Sequence, residues 1–172
     1  LDFARMEEGR KEYGFEVLNP SPWLRAVIAD FATEVAASGA DVKETIPDSL
    51  PLIWADSEAL GSAVHNLLDN AVKYSPGEKM IQVEATAVVG EVRISVRDRG
   101  AGISEDDQRH IFDRFFRSDR EISKRVKGAG LGLSLVRHIM TAHGGKVECE
   151  SRLGEGSTFT IRIPAARAPE GG

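Results

Sequence analysis

Asn66, Asn70 and Lys73 stand four and three residues apart in a segment whose apolar residues, Leu60, Ala63, Val64, Leu67, Leu68, Ala71 and Val72, repeat at helical period. At 100° per residue the three polar side chains fall within an arc of about 60°, beside the apolar stripe. Two carboxamide oxygens one turn apart suit a hard cation such as Mg²⁺, and an ammonium one turn further on suits a phosphate. The polar flank of an ordinary amphipathic helix has the same composition, so this segment alone does not choose between the two.

Asp98-Arg99-Gly100-Ala101-Gly102 ends a hydrophobic run. A carboxylate there can accept a hydrogen bond from an exocyclic amine such as adenine carries, and the glycines let a flat ring approach the backbone. An ordinary strand-to-loop turn also favours Asp and Gly. In Lys127-Gly128-Ala129-Gly130-Leu131-Gly132-Leu133, glycines open a helix and expose backbone N–H groups that suit phosphate. The run lacks the Gly-Lys-Ser/Thr ending of a P-loop and follows no strand, so it is not a dinucleotide fingerprint either. Each element alone is weak. In this order within one domain, they describe a Mg²⁺–adenine nucleotide site.

The elements that position these residues can be read along the chain. Residues 1–11 suggest a short helical stretch, too short to stand alone, and 15–18 an extended piece. A helix begins with Ser21 as N-cap and Pro22 at its first position, buries Leu24, Val27, Ile28, Phe31 and Val35, and stops at Gly39. Strands are expected at 42–46 and 52–54. Asp56 caps the long helix that carries Asn66, and Pro76 and Gly77 end it. Strands 80–88 and 92–98 are joined by a turn at Gly90–Glu91. Residues 99–132 are irregular, as functional or mobile segments are. A helix over 131–142 and strands 146–150 and 157–163 complete the domain. The order predicts an α+β two-layer sandwich, in which a mixed, mainly antiparallel sheet of about five strands carries three helices on one face.

The 172 residues, 41% of them hydrophobic, suit one globular domain with a short appendage. A net charge of −5 argues against a nucleic-acid partner. The single cysteine, Cys149, allows neither an internal disulfide nor a cysteine-rich zinc site, as expected in a reducing cytoplasm. No run of about 18 apolar residues occurs. The opening at Leu1 reads as part of a longer protein.

On four motifs the chain resembles the GHKL superfamily and, within it, the sensor histidine kinases, whose catalytic domains have the Bergerat fold. His65 to Tyr74 (HNLLDNAVKY) resembles the N box, Asp98 to Ile103 the first glycine box, Ile111 to Arg117 (IFDRFFR) the F box, and Lys127 to Leu133 the second glycine box. The resemblance runs from about Pro20 to Pro164. It implies ATP and Mg²⁺, with Asn70 as principal metal ligand and Asn66 beside it. Lys73 and Tyr74 would face phosphates and ribose, and Asp98 the adenine amine, with Thr158 nearby through water. Gly100, Gly102, Ile103, Phe115, Lys127, Gly128, Ala129, Gly130, Leu131, Gly132 and Leu133 would line the nucleotide. A mobile lid would span about 113–128 and carry Arg114, Arg117, Arg120, Lys124, Arg125 and Lys127. Arg117 and Lys127, with Asn66 and Lys73, would be the catalytic groups.

The resemblance also implies a division of the chain: 1–12 as the end of a dimerisation and phosphoacceptor helix, 13–165 as the ATP-binding domain, and 166–172 as a disordered tail. In the family's ATP-hydrolysing members a glutamate stands four residues before the metal-binding asparagine. Asn66 occupies that place and cannot act as a base, which favours phosphoryl transfer over hydrolysis. None of His65, His110, His138 and His143 sits where the family carries its phosphorylated histidine, and all four read as structural or exposed. The expected partners are therefore a dimerisation domain of the parent chain and a response regulator. The chain itself is expected to be monomeric and cytoplasmic, the parent a homodimer in the bacterial inner membrane. The alternatives are another GHKL protein, a serine kinase or slow ATPase, and a nucleotide-sensing module without catalysis.

Overall fold

The computed structural model describes residues 4, 5, 9, 11–128 and 130–167. Most of the expected helix end over 1–12 and of the tail over 166–172 lies outside them, as does Ala129. The elements are β1 (Glu16–Leu18), α1 (Pro20–Glu34), β2 (Asp41–Thr45), β3 (Ile53–Ala55), α2 (Ser57–Lys73), β4 (Met80–Val88), β5 (Glu91–Asp98), α3 (Glu105–Gln108), α4 (Glu121–Arg125), α5 (Gly132–Ala142), β6 (Lys146–Arg152) and β7 (Gly156–Pro164).

Five strands form one sheet in the order β2-β4-β5-β7-β6. Only β2–β4 is parallel; the other pairs are antiparallel. β1 and β3 form a separate antiparallel pair. Period 2 sets the faces. Ile81, Val83 and Ala85 of β4, Val92, Ile94 and Val96 of β5, and Phe159, Ile161 and Ile163 of β7 are buried. They meet Leu24, Ile28 and Phe31 of α1, Leu60, Val64, Leu67 and Leu68 of α2, and Val136, Ile139 and Met140 of α5 in one core. This is the expected two-layer α+β sandwich.

Four local expectations need correction. The first helix ends at Glu34, and Gly39, at φ 73°, closes a separate 3₁₀ turn over Ala36–Ser38. The first helix starts two residues early: Asn19 is its N-cap and Pro20 its first residue. Ser21 is buried inside it and donates from Oγ to Pro47 O at 2.8 Å. The β4–β5 turn falls at Val89–Gly90, where Gly90 takes φ 79°. The stretch read as irregular holds α3, whose first turn is capped by the Ser104 hydroxyl accepting from Asp107 N–H, and the short α4.

The start of α2 is the best-anchored point of the helical layer. Asp56 Oδ1 accepts from Glu58 and Ala59 N–H, and its Oδ2 from Gly14 N–H at 2.9 Å. The Asp56 N–H donates to His143 Nε2, and His143 Nδ1 donates to Ile139 O, which ties α2 to the end of α5. The Tyr13 and Phe15 rings lie against the His143 ring. Partial burial pushes the Asp56 carboxyl up, but the backbone amides of Ala59, Gly14 and Glu58 and the Lys11 ammonium outweigh it and hold it below the ordinary 3.8. A depressed folded value stabilises above the unfolded value and is lost as pH falls through the folded one. Asp56→Ala is expected to cost about 1–2 kcal/mol at pH 7, the range of a lost N-cap. In urea denaturation the gap to wild type should shrink as pH falls below 3.8. A pH-independent gap would remove the carboxylate from this role.

Candidate functional site

Strand parity carries Asp98 into the site. It is the last member of the inward series Val92, Ile94, Val96, and it is 6% exposed. The register sets Arg97 opposite Thr158, so Asp98 stands beside Ser157. Asp98 Oδ1 accepts from Gly100 N–H at 2.8 Å and from Ser157 N–H at 3.2 Å. Among the described residues no donor reaches Oδ2. Burial raises the carboxyl above its ordinary 3.8, and the two amides only partly offset this. The group is therefore a desolvated acceptor with one oxygen free, which a ligand N–H can satisfy.

The backbone around it is packed too tightly for side chains. A Cβ on Gly100 would lie 2.4 Å from Tyr74 O, one on Gly102 2.0 Å from Arg152 O, and one on Gly156 2.1 Å from Asp98 O. Gly102 and Gly156 also have φ of 71° and 101°. These approaches bring together the end of α2, the loop after β5 and the β6–β7 turn. Ala101 N–H donates to Tyr74 O, Gly154 N–H to Ala101 O, and Ile103 N–H to Ser151 Oγ.

Asn66, Asn70, Lys73 and Tyr74 line the same cavity of about 260 Å³ from the α2 side, with Asp98, Gly102 and Ile103 at its floor. That volume suits a small organic molecule rather than a peptide segment. Asn66 Nδ2 donates to Ser62 O, so its oxygen is turned toward Gly132, where an added Cβ would meet it at 3.0 Å. Lys73 Nζ lies 2.6 Å from Asp69 Oδ2, and Asp69 also lines the cavity. The Asn70 and Asn66 carboxamides with the Asp69 carboxylate make an all-oxygen donor set, which fits a hard divalent cation. Lys127, Gly128, Gly130, Leu131, Gly132 and Leu133 form the opposite wall. There Leu131 precedes α5 as its N-cap and gives no side-chain cap, so the first N–H groups of the helix are available to an anion.

The other expected site residues are placed as follows. Thr158 does not line the cavity; period 2 turns it to the outer face with Thr160 and Arg162, and Ser157 takes the inward place. Phe115 is 58% exposed at φ 62°, beneath the Arg114 guanidinium, and lies outside the cavity, where Phe116 lines it instead. Gly100 shapes the floor without lining it. Arg117 lines the cavity, but its guanidinium donates to the carbonyls of Ser123, Val126 and Gly128. Those three bonds tie residues 117–128 into a loop. Ser157 was legible from the inward parity of Phe159, Ile161 and Ile163. Asp107, held by the Ser118 hydroxyl at 2.6 Å, lines the cavity only through tertiary folding.

Three of the four histidines make structural contacts. His65 pairs with Glu34 and packs edge-on against Phe31, His110 pairs with Asp113, and His143 is the buried tie described above. Burial first, then the Asp98 and Glu150 charges, push the Cys149 thiol up to about 12, so it remains protonated and unreactive.

Residues 55–167 match the family model of histidine kinase-, DNA gyrase B- and HSP90-like ATPases. The chain belongs to that family. Similar sequences include the sensor-like histidine kinase SenX3 of Mycobacterium tuberculosis, 39% identical over 77% of this chain and 32% of its own length. The adaptive-response sensory kinase SasA of Gloeothece citriformis is 35% identical over 85% of this chain and 37% of its own. The chain thus spans about a third of the length of the curated relatives it matches. Its fold is that of histidine-kinase catalytic domains. Full-length ShkA in complex with AMPPNP superposes with TM-score 0.81 at 30% identity, covering 97% of this chain and 35% of that one. The catalytic domain of ThkA superposes with TM-score 0.74 at 28% identity, covering 88% of this chain and 96% of that one. No helix among the described residues is long and apolar enough to cross a membrane.

An ATPase-family floor built on backbone contact makes a firm prediction. Gly156→Ala is expected to cost several kcal/mol, because its Cβ meets main chain that no rotamer can move. Thermal unfolding should show a fall of many degrees, whereas Gly77→Ala, with open space around it, should shift little. Equal shifts for the two would contradict the close approach.

Proposed function

We propose that this chain is the Mg²⁺–ATP-binding catalytic domain of a sensor histidine kinase. It passes the γ-phosphoryl group to a histidine on a dimerisation domain of its parent protein. The observation that carries the reading is the convergence of Asn66, Asn70, Lys73, Asp98 and the start of α5 on one cavity. On this reading residues 13–165 are the ATP-binding domain and 1–12 the end of the preceding helix. The parent is a homodimer in the bacterial inner membrane that faces the cytoplasm and feeds a response regulator.

The chemistry follows from positioning and charge, as it does in phosphoryl transfer generally. Asp98 Oδ2 accepts from the adenine amine and fixes the base. The uncapped N–H groups of α5 and the Lys127 ammonium hold the phosphates. Lys73 turns from Asp69 to a phosphate oxygen. Asn70, with Asn66 and Asp69, would hold Mg²⁺, which supplies charge neutralisation on the phosphate oxygens when bound. Asn66 has no basic atom, and its amide is committed to Ser62 O. Nothing at that place can deprotonate water, which supports transfer over hydrolysis.

Calorimetry with ADP and Mg²⁺ tests the site. Asp98→Asn is expected to weaken ADP about tenfold to a hundredfold, because it places an N–H donor or a neutral oxygen where a charged acceptor stood. Binding needs the carboxylate form, and burial raises that group's titration above 3.8. ADP affinity should therefore fall on acidification at a higher pH than an ordinary aspartate titrates, and Asp98→Asn should lose that dependence. Unchanged affinity in Asp98→Asn would sink the assignment. Asn70→Ala should abolish the gain from Mg²⁺ while leaving metal-free ADP binding in place. With γ-labelled ATP, the isolated chain should retain no stable label on any of its four histidines.

A further inference from the structure

Ser151 lies on β6, outside the cavity, yet its hydroxyl is the node that joins three parts of the nucleotide floor. It receives the Ile103 N–H at 2.8 Å, lies 2.9 Å from Gly156 O, and lies 2.8 Å from Ser157 Oγ. Gly156 O can only accept, so the single Ser151 proton points to it. The short contact with Ser157 then has to be made by the Ser157 proton. Both lone pairs of Ser151 are occupied, by Ile103 N–H and by the Ser157 hydroxyl. Ser157 Oγ has no other proton to offer. The residue Ser157 is 6% exposed and lines the cavity beside Asp98, and any further bond its Oγ makes can only be an accepted one.

We propose that Ser151 is a positioning residue that sets nucleobase selectivity: by taking the Ser157 proton it makes the base pocket all-acceptor, Asp98 Oδ2 and Ser157 Oγ together. This rests on the nucleotide reading above. A 6-amino group can donate to both acceptors, one through each N–H, whereas a 6-oxo purine offers only its N1–H there and leaves its oxygen against the second acceptor. In Ser151→Ala the Ser157 hydroxyl loses its acceptor and is free to turn its proton into the pocket, where it can serve a 6-oxo group. Asp98 is untouched by the change, and it accepts from backbone amides that do not involve Ser151.

The test is calorimetric titration of the whole chain with ADP and with inosine diphosphate, both with Mg²⁺. Wild type should prefer ADP by about tenfold or more, as a site with buried, unpaired polar groups rejects a mismatched analogue. Ser151→Ala should weaken ADP and tighten inosine diphosphate, contracting the ratio about tenfold, the scale of one hydrogen bond exchanged on each side. The double variant Ser151→Ala with Ser157→Ala should lose the gain for inosine diphosphate, and Ser151→Thr, which keeps the hydroxyl, should keep the wild-type ratio. Equal weakening of both nucleotides by Ser151→Ala overturns the proposal, since a purely structural role would act on both alike. Should Ser151→Ala bind neither, Ser157→Ala alone decides: selective loss of ADP supports the acceptor role, and equal loss overturns it. A wild-type chain that binds no ADP overturns the nucleotide reading itself, and this inference with it.

Discussion

The site depends on one carboxylate held out of water at the end of a strand. Asp98 could have been left in solvent, where it would cost nothing. Strand parity instead carries it into the layer between sheet and helices, and burial makes its unfilled oxygen a demanding acceptor. The fold meets half of that demand with the Gly100 and Ser157 amides. The other half is left open toward the cavity. Everything around it serves that arrangement: the close backbone approaches at Gly100, Gly102 and Gly156 exist because the loop after β5 must turn sharply within a crowded space.

Two layers deliver the remaining groups. The sheet fixes Asp98 and Ser157 side by side through the β5–β7 register. The helices bring Asn66, Asn70 and Lys73 on α2 and the uncapped start of α5 to the same cavity. The tie from Ile139 through His143 to the Asp56 amide holds those two helices in relation to each other at the opposite end from the site. Between them, Arg117 spends its guanidinium on three loop carbonyls and so gives residues 117–128 a shape. The planar fork of a guanidinium suits this, since several of its N–H donors can reach converging carbonyls at once.

The elements that were legible in the chain are those with strong periodicity or unambiguous punctuation. The bounds of β4 emerged unchanged from its β-branched pattern, and Asp56 was readable as a cap because a carboxylate before an apolar helix has few other uses. Pro20 and Pro22 both fit the first turn of α1, and only the burial of Ser21 against Pro47 O separates them. The four residues of α3 carry too little pattern to reveal a helix in the sequence. The inward parity of Phe159 points to Ser157, and it is Ser157 rather than Thr158 that lines the cavity.

By itself the sequence determined the layer architecture, the family and the kinds of group at the site, since these follow from hydrophobic period, turn chemistry and ordered motifs. Tertiary structure decided which groups face the cavity and in what state. It paired Lys73 with Asp69, turned Phe115 outward, engaged Arg117 within its own loop and drew in Asp107 and Ser157. It also brought the Ser151 and Ser157 hydroxyls within 2.8 Å of each other. The reason is physical: residue type limits what a side chain can donate or accept, but its partners come from segments distant in the chain, and only folding brings them within 3 Å.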